Sequence, residues 1–246
     1  MRLDKYLADM QLGSRKEVKT YIKKGLVTVN GTVIKSDKFH VSEMEDTVIF
    51  DGEEITYQKD FYYLLHKPAG VISATVDNYE ETVLDLFDDE TYRDDLFPVG
   101  RLDKDTEGLL VITNDGALSH RLLSPKRHVE KEYFAEVAGI MTPEDQMKFK
   151  EGLTIDGGEE CLPAELFIDA IDEDAQTSEI RLILHEGKFH QVKRMVQAVG
   201  KEVTYLKRLR MGGLTLDEQL AYGEYRPLTA EELNLLENKD ANDASK

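Results

Sequence analysis

The chain has a single cysteine, Cys161. One cysteine excludes an internal disulfide and suits a reducing compartment, so a cytoplasmic location is expected. Six histidines and that one cysteine make no zinc cluster. His185-Glu186 and His190 are spaced i, i+5 with Gly187 between, which does not set two imidazoles on one helix face. Nor is there a phosphate loop, because the pairs Gly157-Gly158 and Gly212-Gly213 lack the G-x-x-x-x-G-K-[ST] form. No apolar run approaches the roughly 20 residues that a membrane-spanning helix needs. The opening M-R-L-D-K-Y-L-A-D carries charge from the start and lacks the apolar core of a signal peptide. No metal, no cofactor and no membrane partner are therefore expected.

What the chain does have is charge, unevenly placed. Of its 246 residues, 41% are hydrophobic and 33% charged, enough to bury a core. That length fits one large domain, or a medium one with a small one attached. Taken whole, the net charge of −18 argues against nucleic acid. Yet residues 1–40 carry nine Lys/Arg against four Asp/Glu, and 188–210 carry seven against one. The segment 77–95 has nine acids and one base, and 151–179 has ten acids and no base. Two basic islands sit on an acidic body, and a local patch matters more for phosphate contact than the total.

Leu3, Leu7 and Met10 recur at helical spacing, which predicts a short first helix. Ser14 to Glu17 has the form of a capping box and opens a second helix. That helix should bury Val18, Tyr21 and Ile22 and stop at Gly25. Lys16, Lys19 and Lys23 fall three and four apart, on a face away from the apolar stripe. Asn30-Gly31, between two β-branched runs, predicts a type I′ hairpin. A basic helix pair leading into a hairpin can lay lysines along a phosphate backbone. A solvated lysine face is the commoner meaning of the same pattern.

Beyond about residue 59 the pattern turns to strands. F-Y-Y-L-L-H-K-P-A-G-V reads as a strand entering a Pro68-Ala69-Gly70 turn. G-L-L-V-I-T is a second, apolar strand, and N-D-G-A-L-S-H-R-L-L begins a helix. In V-E-K-E-Y-F-A-E-V-A-G, Val129, Lys131, Tyr133, Ala135 and Val137 share one face and Phe134 takes the other. I-R-L-I-L, 180–184, is a further strand. The helix after it buries Val192, Met195, Val196 and Val199, and turns His190, Lys193, Arg194 and Gln197 outward. The fold class is α+β, with a mixed sheet and few helices. The polar end E-N-K-D-A-N-D-A-S-K reads as a disordered tail.

One stretch raises a question of chemistry. R-L-D-K-D-T-E-G sets Asp103, Asp105 and Glu107 at alternate positions. The first six residues from Asp103 fit a calcium-binding EF-hand loop. The twelfth position there needs a bidentate Glu and is Asn114 here, and Leu109 to Thr113 read as a buried strand. Two readings remain. The acids decorate a solvated turn, or one is reactive, with Tyr133 as a stacking ring and the cations of E-G-K-F-H-Q-V-K-R as charge partners. The residues alone leave that open.

Resemblance to known families narrows the choice. R-L-D-K-Y-L-A … S-R-K-E-V-K-T-Y-I-K-K-G-L-V-T-V-N-G resembles an S4 RNA-binding domain. P-V-G-R-L-D-K-D-T-E-G-L-L-V-I-T-N-D-G resembles the active-site signature of the pseudouridine synthases, in particular the RsuA group. H-K-P-A-G-V, K-E-Y-F-A-E-V-A-G and E-G-K-F-H-Q-V-K-R-M resemble that family's other motifs, in the same order. The resemblance covers essentially all of 1–237. It implies a small S4 domain over 1–58, a catalytic domain with a largely antiparallel sheet and flanking helices over 59–237, and the tail 238–246.

The resemblance also implies roles. Asp103 falls at the catalytic aspartate. Tyr133 falls at the tyrosine that packs on the target base and takes the C5 proton. Lys193 falls at the basic residue paired with the aspartate, and Arg101 at the arginine that contacts RNA near the extruded base. Lys188, His190, Gln191 and Arg194 are then expected to bind substrate. Arg2, Arg15, Lys16, Lys19 and Lys23 are expected to bind RNA from the S4 domain. Asp105 and Glu107 match no catalytic position and are expected only to shape the loop.

The implied reaction turns a uridine into pseudouridine after flipping it from the RNA stack, with no cofactor. Attack by the aspartate at C1′ and attack at uracil C6 both stay open. The implied partner is ribosomal RNA. The short chain favours small-subunit rRNA, with large-subunit rRNA the runner-up, and a monomer is expected. A non-catalytic S4 assembly factor and a glycoside hydrolase are the other classes. The hydrolase needs a second carboxylate roughly 5–10 Å from the first.

Overall fold

The computed structural model describes residues 1–237, so the tail expected over 238–246 lies outside the described residues. The chain falls into two units, Met1–Asp60 and a second beginning at Phe61. In the first, α1 (Leu3–Asp9) and α2 (Arg15–Lys24) precede β1 (Val27–Val29), β2 (Thr32–Val33), β3 (Val48–Phe50) and β4 (Glu53–Glu54). The start of α2 is a closed capping box: the Glu17 amide donates to the Ser14 hydroxyl, and the Ser14 amide donates to the Glu17 carboxylate at 2.8 Å. The chain leaves α2 through Gly25 in the left-handed region. Asn30 and Gly31 take φ of 50° and 76°, as the two-residue turn between β1 and β2 requires. Leu3, Leu7, Val18 and Ile22 pack on Val27, Val29 and Val48, so one helix stripe against one strand face holds this unit together. Tyr21, expected in that core, is only partly buried at its edge.

The second unit contains β5 (Tyr62–Lys67), β6 (Phe97–Pro98), β7 (Glu107–Thr113), α3 (Gly116–Leu123), β8 (Lys131–Ala138), α4 (Pro143–Glu151), β9 (Thr154–Ile155), β10 (Glu159–Glu160), β11 (Glu165–Asp172), β12 (Thr177–Leu184), α5 (Gln191–Ala198), β13 (Glu202–Met211), β14 (Leu214–Thr215), β15 (Tyr225–Pro227) and α6 (Ala230–Glu237). Its main sheet runs β11-β12-β8-β13-β7-β5-β15, with β14 on β13 and β6 on β7. The pairing of β13 with β7 is parallel and the others in this sheet are antiparallel. The sheet is therefore mixed and largely antiparallel, as expected.

Helices and loops cover it on both faces. Leu64, Leu109 and Val111 pack with Leu118, Leu122 and Leu236 from α3 and α6. Their neighbours Leu65, Leu110 and Ile112 face the other way, into Val83, Leu84 and Phe87. Burial from both sides explains why G-L-L-V-I-T shows no alternation. Phe149 of α4 and Val192, Met195 and Val196 of α5 cover Ala135, Val137, Ile180 and Leu182. No helix among the described residues is long and apolar enough to cross a membrane.

The structure adds elements to those read from sequence. Residues 202–211, read only as part of a basic island, form β13 in the middle of the sheet. Arg208 and Arg210 on it are buried, so the apolar alternation that marks a strand is broken by inward cations. β11, α4 and α6 are also additions. The capping box of Thr142 and Asp145, with Pro143 at the first turn, starts α4.

Candidate active site

Asp103 lies on the loop between β6 and β7, and the shape of that loop is set from beneath. Lys67, at the end of β5, is fully buried. Its ammonium donates to the carbonyls of Pro68 and Asp103, each at 3.0 Å, and of Thr106 at 2.8 Å. An ammonium has three hydrogens, so backbone oxygens take all of them. Burial pushes the Lys67 pKa down to about 8, against the upward pull of Asp105, Asp103 and Glu107. Ser73 adds a second brace, its hydroxyl donating to the Leu102 carbonyl at 2.9 Å and accepting from the Leu102 amide at 3.0 Å. The loop enters β7 through Gly108 at φ +105°, where an added Cβ would sit 2.2 Å from the Arg208 carbonyl oxygen. The parallel pairing of Gly108 with Arg208 needs that approach, so a side chain has no room. Register then places Lys67, Gly108, Arg208 and Tyr133 side by side across β5, β7, β13 and β8.

Above this floor, Lys193 in the first turn of α5 reaches two carboxylates. Its Nζ is 2.6 Å from Asp105 Oδ1 and 3.1 Å from Asp103 Oδ2. His190 Nε2 lies 3.4 Å from Asp103 Oδ1. Burial pulls the Lys193 pKa down, but its bonds to Asp105 and Asp103 outweigh that and the net shift is upward. The same Lys193 bond holds the Asp105 carboxyl below the usual carboxylate range. Asp105, expected only to shape the loop, therefore shares the cation of Asp103. Glu107 does not: its carboxylate accepts from the Tyr205 hydroxyl of β13 at 2.6 Å. A cavity of about 430 Å³ lined by Ala69, Gly70, Asp103, Lys104, Asp105, His190 and Lys193 opens over these groups. A larger one, about 570 Å³, is lined by His128, Lys150, His185 and Leu236 among others and holds none of the expected site residues.

The remaining expected residues are dispersed. Tyr133 is half-buried, packed against the core of Ala135 and Met195 and against that of Leu65 and Leu102. It belongs to the sheet floor, outside the lining of the Asp103 cavity. Arg101 stands exposed at the head of the loop. His190, expected on the outer face of α5, instead precedes it at φ +49°, a left-handed backbone uncommon for a residue other than glycine. Lys188 pairs with Glu186 at 3.4 Å. Gln191 is buried, joining the Lys188 amide to the Glu186 carboxylate. Arg194 is tied to Asp156 and Glu159. Asp103, Lys193 and His190 thus converge, while Lys188, Gln191 and Arg194 engage protein partners around the turn.

In the first unit, Arg2 and Lys19 gather on the buried Asp4, at 2.8 and 3.7 Å. Burial raises the Asp4 pKa, but the Arg2 bond and the nearby cations bring it down overall. Arg15, Lys16 and Lys23 are exposed along α2.

Lys67, Lys131 and Arg208 are buried cations that were not among the expected site residues. Lys131 donates to the Val129 carbonyl at 3.0 Å, and burial, then Arg208, pushes its pKa down to about 8. Arg208 Nε donates to the Leu109 carbonyl at 2.8 Å, and its Nη2 has no partner among the described residues. The available signal was a basic residue standing within a buried strand face.

The chain that carries this site has relatives among known proteins. The family model described as RNA pseudouridylate synthase matches residues 61–198, and the S4 domain model matches 1–48. The chain belongs to the RNA pseudouridylate synthase family, whose members are isomerases, and it carries an N-terminal S4 domain. It is 48% identical over 241 residues to an uncharacterized RNA pseudouridine synthase, YtzG, of Bacillus subtilis (strain 168), covering 98% of this chain and 100% of that one. It is 44% identical over 234 residues to ribosomal small subunit pseudouridine synthase A of Vibrio cholerae, covering 95% and 98%. A crystal structure of a pseudouridylate synthase matches it with a TM-score of 0.65 at 36% identity, over 96% of this chain and 99% of that one.

Proposed function

We propose that the protein isomerises a uridine of small-subunit rRNA to pseudouridine, with Asp103 as the reactive carboxylate. The observation that carries the mechanism is the pairing of Asp103 with Lys193 at 3.1 Å at the wall of the 430 Å³ cavity. That volume lies in the range of small-molecule sites, which suits an extruded nucleoside and not a duplex.

In this reading an Asp103 oxygen attacks C1′ of the flipped uridine, as a carboxylate does in a retaining glycosidase. The N1–C1′ bond breaks and its electron pair leaves on the uracil. The uracil turns, packed on Tyr133, and C5 attacks C1′, which releases the Asp103 oxygen. Tyr133 takes the C5 proton and exchanges it with water, and N1 takes up a proton, so the product is an isomer of the substrate. Lys193 holds the carboxylate in place. Lys67, by fixing the carbonyl of Asp103 itself, decides where the carboxylate stands.

Small-subunit rRNA is inferred from the Vibrio cholerae relative, named for that substrate and matched over 98% of its length. Exposed Arg15, Lys16 and Lys23 on α2 would hold the RNA backbone. The enzyme would act as a monomer in the cytoplasm, with the S4 module ending near residue 58. Tritium release from C5-tritiated small-subunit and large-subunit rRNA, each bare and protein-bound, tests this. Release from small-subunit RNA alone is expected. Release from large-subunit RNA alone would overturn the target, and no release from any substrate would overturn the reaction.

A further inference from the structure

Phe189 is a large apolar side chain that the core does not use, with 75% of its surface exposed. Its backbone, by contrast, is held on both sides. The Lys188 amide donates to Gln191 Oε1 at 2.8 Å, and Arg194 Nη1 donates to the Phe189 carbonyl at 3.1 Å. The ring stacks on His190, with centroids 3.7 Å apart and planes 22° apart. His190 in turn lines the cavity and lies 3.4 Å from Asp103. A continuous line of contacts therefore runs from the carboxylate outward, through an imidazole, to an exposed phenyl ring stacked on it.

Single exposed apolar residues are common and need no function. Two features set this one apart. The left-handed backbone of His190, φ +49°, holds the two rings parallel at the cavity rim, a local strain of the kind that collects at functional sites. Phe189 also lies at the head of the segment 188–210, which carries seven Lys/Arg against one Asp/Glu. A ring among cations, beside a cavity for a nucleoside, matches the chemistry of a single nucleic-acid strand: phosphates for the cations and a flat base for the ring.

We propose that Phe189 is a stacking platform for the nucleobase next to the target uridine, with His190 as its inner layer. The inference rests on the RNA substrate proposed above. Stacking on a phenyl ring tolerates any base, so Phe189 positions the strand and does not read its sequence. It is a positioning residue, holding the neighbour so that C1′ of the target faces Asp103.

The chain has no tryptophan, so Phe189→Trp installs a single fluorescent reporter at the platform. In an Asp103→Asn background, titration with small-subunit rRNA should quench that fluorescence saturably. RNA binding by gel shift without quenching would overturn the platform. In steady state, Phe189→Tyr should keep the wild-type KM, while Phe189→Leu and Phe189→Ala raise KM about tenfold with kcat within about twofold. A Phe189→Leu enzyme with wild-type KM would show that any apolar group suffices and would also overturn it. Quenching by small-subunit rRNA that the wild-type enzyme does not modify would support the platform while sinking the proposed target. Turnover without quenching would do the reverse.

Discussion

The buried cations of the sheet and the half-exposed ones around the start of α5 do different work. Lys67, Lys131 and Arg208 are no more than 8% exposed and donate to backbone carbonyls. Lys188, Lys193 and Arg194 are partly exposed and pair with carboxylates. A buried ammonium bonded to carbonyls fixes the path of the chain. A rim ammonium bonded to carboxylates sets the charge presented at the surface. The floor is strained by this arrangement: burial, reinforced at Lys131 by the like charge of Arg208, takes both lysines down to about 8. The rim carries no such strain, since the carboxylate bonds of Lys193 lift its pKa.

Floor variants should lose stability and activity together, and rim variants activity alone. Gly108→Ala should be the most damaging floor change, because its Cβ meets backbone and not a side chain that can move. The expected result is loss of a cooperative thermal transition. Lys67→Met leaves buried carbonyls without donors and should lower the unfolding free energy by about 2–4 kcal/mol in urea titration. A loop shifted by about 1 Å should also cut kcat roughly 100-fold. Lys193→Met should cut kcat by about 100-fold with less than about 1 kcal/mol change in stability, and Lys193→Arg should restore most of it. Equal destabilisation by Lys193→Met and Lys67→Met would break the distinction between floor and rim.

The pH dependence sharpens it further. Lys67 and Lys131 fall to about 8 in the folded chain from an ordinary 10.5. Below pH 8 both folded and unfolded chains hold these protons, and the cost of burying the charge is fully present. Between 8 and 10.5 the unfolded chain binds more protons, so these two groups make stability rise with pH. Urea midpoints between about pH 7.5 and pH 9.5 should show that rise, and Lys131→Met should flatten part of it. Asp105 acts in the same sense at the acid end, where stability again rises with pH. Its lowered carboxyl contributes stability above its ordinary 3.8, lost as pH falls through the depressed folded value. Being a rim group, it should contribute the smallest effect of the set.

The legible parts of the molecule were those written locally. Ser14 with Glu17, Gly25 and Asn30-Gly31 announce their caps and turn because each acts on its own backbone within a few residues. Asp103 was readable because its motif is contiguous. The floor was not, because Lys67 is shown to be an anchor only by carbonyls thirty and more residues away. The sharing of Lys193 by Asp105 bridges a still longer separation. β13 was hidden for a related reason: its buried arginines bond to neighbouring strands, so polarity along the sequence did not mean exposure.

The measurement that bears most directly on the central claim is single-turnover tritium release by Asp103→Asn, Asp105→Asn and Glu107→Gln, side by side on small-subunit rRNA. Asp103→Asn should abolish release, by roughly 10⁴-fold or more, as loss of a reacting group does. Asp105→Asn should lower it by less than about tenfold, since Lys193 keeps its bond to Asp103. Glu107→Gln should change it little, because a Gln can still accept from Tyr205. An Asp103→Asn enzyme that turns over while Asp105→Asn does not would contradict the assignment and move the reaction to the other carboxylate of the pair.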